Sequence, residues 1–189
     1  MIAAGKETVY GADPRINWIV GGIEQVGLNP PYALIVAAAS LHWMPWTQTL
    51  PRFAQTLSDN GYLALVEQHS PPDPWADELT PLFAQYSLNQ AFQPYSMETV
   101  AAELETYGLF RQVGLWETEP VPFRQSVDAW IEAIHARNGF SRDRMALTDA
   151  AEFDQQVRAL LSRHCPNGEV VQQIQVRIIY GNPLDPAYD

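Results

Sequence analysis

The chain has 189 residues, enough for one domain with a substantial core and too few for two full ones. Eleven basic against 22 acidic side chains give a formal charge of −11 with no basic run, a field that repels phosphate backbones and argues against nucleic acid as a partner. Apolar residues make up 47% and charged residues 17%, a globular composition, and the single cysteine, Cys165, excludes an intrachain disulfide framework or a Cys-rich zinc site.

No stretch reaches the roughly 18 apolar residues of a membrane span. Residues 1–14 also lack an apolar signal-peptide core, so a cytoplasmic chain without a membrane partner is expected. Residues 1–6 read as a short helix and residues 17–20 as a short strand ending at Gly21-Gly22, a pair that lets the backbone turn tightly. An apolar run at residues 33–38 then stops in a polar and aromatic cluster, Ser40, His42 and Trp43. A second run, residues 62–66, is entered through Asn60-Gly61 and stops at Glu67, Gln68 and His69. Between them Trp46, Leu50, Phe53 and Leu57 lie at helical spacing, with the regular helix expected from Pro51, because proline is tolerated in a first turn. Two such runs joined by a helix read as neighbouring parallel strands buried on both faces.

Asp73-Pro74 opens the next helix, with Trp75, Leu79, Leu82, Phe83 and Tyr86 on its apolar face and Pro81 as a kink. Ser96 caps a clearer helix that ends at Gly108 and carries the stripe Met97, Val100, Ala101 and Leu104. Residues 109–119 read as a strand. Ser126 opens another helix, closed by Asn138-Gly139, and Asp149 with Glu152 marks a capping-box start for a helix to about His164. In the final strand Val170, Ile174, Val176, Ile178 and Tyr180 alternate with polar residues, as in an antiparallel strand with one less buried face. The order begins as α/β and ends in antiparallel edge strands.

There is no G-x-G-x-x-G, P-loop, G-x-S-x-G, H-E-x-x-H or C-x-x-C, and the four histidines have no metal-ligand spacing, so no metal site is expected. Ligands of open α/β sheets bind beyond the carboxyl ends of parallel strands, which points to Ser40, His42, Trp43 and Glu67.

The residues Asn17-Trp18-Ile19-Val20-Gly21-Gly22-Ile23-Glu24, Pro30-Pro31-Tyr32-Ala33-Leu34-Ile35, Ser40-Leu41-His42-Trp43 and Asn60-Gly61-Tyr62-Leu63-Ala64 resemble the middle of a class I S-adenosylmethionine-dependent methyltransferase. The flavour is that of the type 11 small-molecule group, in which a His-Trp pair often follows the fourth strand. Residues 125–128 through 137–141 resemble an insertion found in some of those enzymes. The resemblance implies an α/β fold with a Rossmann-like methyltransferase sheet and antiparallel C-terminal strands. It implies one partial domain over residues 1–189, with a helical insertion at about 122–165. It further implies S-adenosyl-L-methionine as cofactor and a small-molecule methyl acceptor as partner; oligomeric state is open.

On that resemblance, Gly22, Ile23 and Glu24 contact the adenine of the cofactor, although the acidic residue usual directly after the glycine is here Ile23, with Glu24 one later. Residues 37–40, Ala38 and Ser40 among them, line its methionine end. His42 is the candidate general base, since an imidazole titrates close to neutrality, and Trp43 a pocket wall; packing against the following helix is the bland alternative for both. Glu67 could hold an acceptor hydroxyl or simply end an exposed strand. His135 and Asn138, with Arg142, could form part of a lid over the acceptor, or Asn138-Gly139 could merely stop a helix.

The family's first strand, glycine-rich loop and second strand have no counterpart ahead of residue 17; Gly11-Ala12-Asp13 lacks a preceding apolar strand. The chain is therefore expected to lack the first two strands of the fold, a fragment with Met1 internal to a longer enzyme and inactive alone. Removing those strands would expose the edge of an apolar strand, so either residues 17–20 pair directly with residues 33–38 or the chain is unstable alone. The competing reading is a cofactor-free, degenerate domain acting as a binding or interaction module. A nucleotide-dependent oxidoreductase shares the α/β pattern, but the antiparallel ending argues against it.

Overall fold

The two apolar runs pair as parallel strands. β1 (Tyr32–Ala38) lies beside β2 (Leu57–His69), in register from Leu34 opposite Tyr62 to Ala38 opposite Val66. The register shifts between Tyr32 and Leu34, where β2 accommodates Asn60-Gly61. A Cβ on Gly61 would lie 2.8 Å from the Tyr32 carbonyl oxygen, so glycine is required by close approach of backbones. The computed structural model describes residues 2–89 and 96–187, which fall into two compact units. The first is drawn from Met1–Glu67, Ser96–Trp116 and Ile178–Asp189, the second from Gln68–Tyr95 and Glu117–Arg177.

In the first unit α1 (Ile2–Lys6) precedes β1, and a 3₁₀ turn (Leu41–Trp43) leads from β1 into α2 (Trp46–Thr56). That helix starts before the expected Pro51, because the Gln48 and Thr49 amides both donate to the Pro45 carbonyl and Leu50 and Phe53 are buried on its inner face. A later helix (Met97–Thr106) is capped as expected, the Ser96 hydroxyl accepting from the Thr99 amide at 3.1 Å. Gly108 then takes a φ of +66°, a left-handed conformation suited to glycine at a helix end. The strands run in the order β1, β2, β5 (Glu169–Pro183), β3 (Phe110–Glu117). Leu41, Leu63, Leu65, Met97, Leu104 and Ile179 form the heart of this core.

Three expectations need correcting here. β1 is not buried on both faces: it is the terminal strand of the order, and Leu34 and Val36 are 56% and 55% exposed. Only β2 is enclosed as expected, through Leu63, Ala64 and Leu65. Residues 17–20 are not a strand; with no neighbour to complete a ladder they stay irregular, and Val20 is 82% exposed. The final strand is not at the edge, since β5 is flanked by β2 and β3.

In the second unit α3 (Ala76–Tyr86), α5 (Val127–His135) and α6 (Leu147–His164) accompany β4 (Val121–Ser126); the helix Met97–Thr106 of the first unit is α4. β4 pairs antiparallel with β5, from Val121 opposite Ile174 to Ser126 opposite Glu169. Sequence pattern alone left β4 unassigned, because its Pro122 and short length read as a connection until a partner strand supplies the hydrogen bonds. Ser126 caps α5 by accepting from the Ala129 amide at 3.1 Å. α6 begins two residues ahead of Asp149, which sits in the first turn where its charge suits the helix dipole, so the capping box is not formed. Phe153 is fully buried, its ring 5.3 Å from Phe140, 5.6 Å from Tyr86 and 6.1 Å from Phe83. The expected insertion at about 122–165 falls within this unit. Among the described residues no helix is long and apolar enough to cross a membrane.

Candidate active site

The carboxyl ends of β1 and β2 carry the site residues of the first unit. The Ala39 amide extends the ladder by donating to the Val66 carbonyl at 2.9 Å, and Ala39 itself turns the chain with a φ of +44°. Among the described residues it is the sole non-glycine with positive φ; a left-handed alanine costs about 1–2 kcal/mol, and such strain concentrates at ligand sites. Ala38 and half-buried Ser40 flank it. Leu41, fully buried, anchors the following turn, and its carbonyl accepts from the Trp46 indole nitrogen at 2.8 Å. The Trp43 amide closes the turn on the Ser40 carbonyl at 3.0 Å.

This anchoring leaves Trp43 67% exposed, its ring centroid 4.8 Å from that of His42. Burial lowers the His42 pKa from its ordinary value, favouring the neutral imidazole, the form that can accept a proton. At the end of β2 the Glu67 Oε2 accepts from the Met97 amide at 2.9 Å, the first residue of α4. A carboxylate there is favoured by the helix dipole, so Glu67 holds a helix start in place.

Gly22, Ile23 and Glu24 form a tight turn, with the Gln25 and Val26 amides donating to the Gly22 carbonyl at 2.9 and 3.0 Å. The Glu24 carboxylate folds back over Gly22, where an added Cβ would lie 2.2 Å from Oε1, so a side chain there would displace the carboxylate. Ile23 packs against the first unit's core. The Arg52 guanidinium, on α2, donates to the Glu24 carbonyl at 2.6 Å and to the Val26 carbonyl. The segment 40–43 runs straight into α2, so one helix supports both the β1 terminus and the Gly22–Glu24 turn. Arg52 and Ala39 carried no sequence signal: Arg52 lies 28 residues from Glu24, and backbone strain is invisible in composition.

The remaining two candidates belong to the second unit. His135 is buried, its Nδ1 2.6 Å from the Phe140 carbonyl and its Nε2 2.7 Å from Asp154 Oδ1, so both ring nitrogens are engaged within the protein. Arg142 joins Asp154 at 2.9 Å and Glu132 at 2.5 Å, and the Glu132 bond, then that of Asp154, keeps its guanidinium above the ordinary pKa. Asn138 begins the short turn Asn138–Phe140; its side chain lies outside what is described. The described residues contain no cluster of three metal-ligating groups.

No protein-family profile and no curated protein matches the chain. Solved structures do. A protein of Anaeromyxobacter dehalogenans, provisionally assigned as a type II methyltransferase, is 18% identical over 89% of this chain and 72% of its own, with a TM-score of 0.58. A provisionally assigned methyltransferase of Bacillus halodurans is 11% identical over 97% of this chain and 79% of its own, with a TM-score of 0.52. This chain therefore shares the general fold of these two structures, a mixed Rossmann-like α/β sheet. The residues present suit S-adenosylmethionine at two points: Gly22, which has no side chain of its own, and the small Ala38-Ala39-Ser40, both of which let a ligand approach backbone. Ahead of β1, residues 7–31 contain no strand.

Proposed function

We propose that this chain is the acceptor-side part of an S-adenosylmethionine-dependent methyltransferase acting on a small molecule, without the glycine-rich loop that would hold most of the cofactor. The observation that carries the reading is the strained Ala39 at the carboxyl end of β1, beside the parallel end of β2. The open outer edge of β1 and the irregular segment ahead of it support the absence of the first two strands. When bound, S-adenosylmethionine supplies an electrophilic methyl group.

The chain's own residues would then divide the work. Gly22, Ile23 and Glu24 receive the adenine end through backbone and carboxylate, and Ala38 and Ser40 receive the methionine end. His42, kept neutral by burial, takes the proton that the acceptor's hydroxyl or amine loses as it is methylated. Trp43 walls the acceptor, and Glu67 orients it from the β2 terminus. Positioning supplies much of the acceleration in an in-line displacement. With the cradle incomplete, the 189 residues alone bind weakly and do not turn over.

Calorimetry with S-adenosylhomocysteine tests this. Weak heat in the millimolar range is expected, and its loss in a Gly22→Val variant. The lack of a strand ahead of β1 equally favours a cofactor-free binding module, and no heat from the parent chain would decide for that second reading.

A further inference from the structure

We infer that Arg52 is the positioning residue of the proposed cofactor turn, setting the orientation of Gly22, Ile23 and Glu24 without touching the ligand; this rests on the methyltransferase reading above. α2 buries Leu50 and Phe53 against the core, which leaves Arg52 half-buried on another face. Its planar fork donates to two carbonyls two residues apart, Glu24 and Val26. A guanidinium meets that demand with a fixed geometry, whereas an ammonium offers a single point of attachment.

The consequence for the turn follows from peptide planarity. A carbonyl and the next residue's N–H lie in one rigid plane and point opposite ways. With the Glu24 carbonyl held by Arg52, the Gln25 N–H is aimed back at the Gly22 carbonyl, where it donates at 2.9 Å. Ile23, packed on the core, fixes the other side of the same turn. Between these holds the Glu24 carboxylate stays folded over Gly22. Without Arg52 the Glu24 and Val26 carbonyls lose their hold, only the Gln25 and Val26 amide bonds to the Gly22 carbonyl remain, and the turn no longer presents one surface. The remainder of the site, at Ala38 and Ser40, is held by the ladder to Val66 and by buried Leu41.

That separation defines the experiment. The ¹⁵N-labelled 189-residue chain is titrated with S-adenosylhomocysteine, and amide shifts are followed in the parent chain, R52Q and R52K. The parent chain should show shifts at both 22–24 and 38–40. R52Q should lose the first set and keep the second, with an unchanged thermal midpoint and with Gln25 and Val26 amides exchanging with solvent about tenfold faster or more. R52K should fall between. R52Q keeping both sets, or losing both together with a lower midpoint, overturns the positioning role. A parent chain with no shifts at either set overturns the cofactor reading instead, and Arg52's role toward it as well.

Discussion

The two units bury their sequences to different ends. The second encloses Phe153 among four aromatic rings, Phe83, Tyr86, His135 and Phe140, and ties His135, Asp154, Arg142 and Glu132 into one charged network. The first leaves an apolar strand half open, strains Ala39 at its end and exposes Trp43 beside it. Packing that closes on itself reads as support, whereas strain and exposed aromatic surface at a strand terminus read as a place built to meet something. The second unit is thus the better core and the first the better site.

The contrast breaks most readily at Phe153. Phe153→Ala should cost about 3–5 kcal/mol, read from the urea midpoint, because a fully enclosed ring leaves a cavity its neighbours cannot fill. A loss near that of a surface substitution would mean that the second unit is no tighter than the first. Within the first unit, Leu63→Ala on enclosed β2 should cost about 2–5 kcal/mol, against less than about 0.5 kcal/mol for Leu34→Ala on open β1. Equal losses would place β1 inside a covered sheet after all.

The strain at Ala39 gives a smaller effect of opposite sign. Ala39→Gly should stabilise the chain by about 0.5–1 kcal/mol, the relief of a left-handed alanine less the extra freedom of an unfolded glycine. Loss of stability would show that the conformation is not strained. The smallest effect belongs to His42. Because burial lowers its folded pKa from 6.5, the unfolded chain binds the proton more readily. Its contribution is present in full above 6.5 and is lost as pH falls through the lowered value. Unfolding midpoints at about pH 7.5 and about pH 5 should therefore differ more in the parent chain than in His42→Gln, and an identical pH dependence would contradict the half-buried neutral imidazole.

How much of this the sequence carried depended on range. The Ser96 and Ser126 caps and the enclosed residues of β2 were legible because each is fixed by a few neighbouring side chains, whereas the turn expected at Asn60-Gly61 is absorbed into β2. What sits beside a strand was not legible. The apolar composition of β1 is that of an enclosed strand, yet no described strand lies on its outer side, and β4 exists only because Val170 and Ile174 of β5 lie opposite it. For the same reason residues 17–20, with strand-like composition, form none. In the candidate site the strand-end cluster Ser40, His42 and Trp43 was evident from an apolar run stopping in polar residues. The hold of Arg52 on Glu24 and Val26 was not, since it joins segments 26–28 residues apart through carbonyls that any sequence possesses.

The central claim is that the ends of β1 and the Gly22–Glu24 turn receive the two ends of S-adenosylmethionine. The most direct measurement is photocrosslinking of the intact chain with an azido-adenosyl analogue of S-adenosylhomocysteine, followed by peptide mapping. The account predicts labelling within residues 20–26, competed away by unlabelled S-adenosylhomocysteine. Labelling that resists competition, or falls elsewhere in the chain, would contradict it.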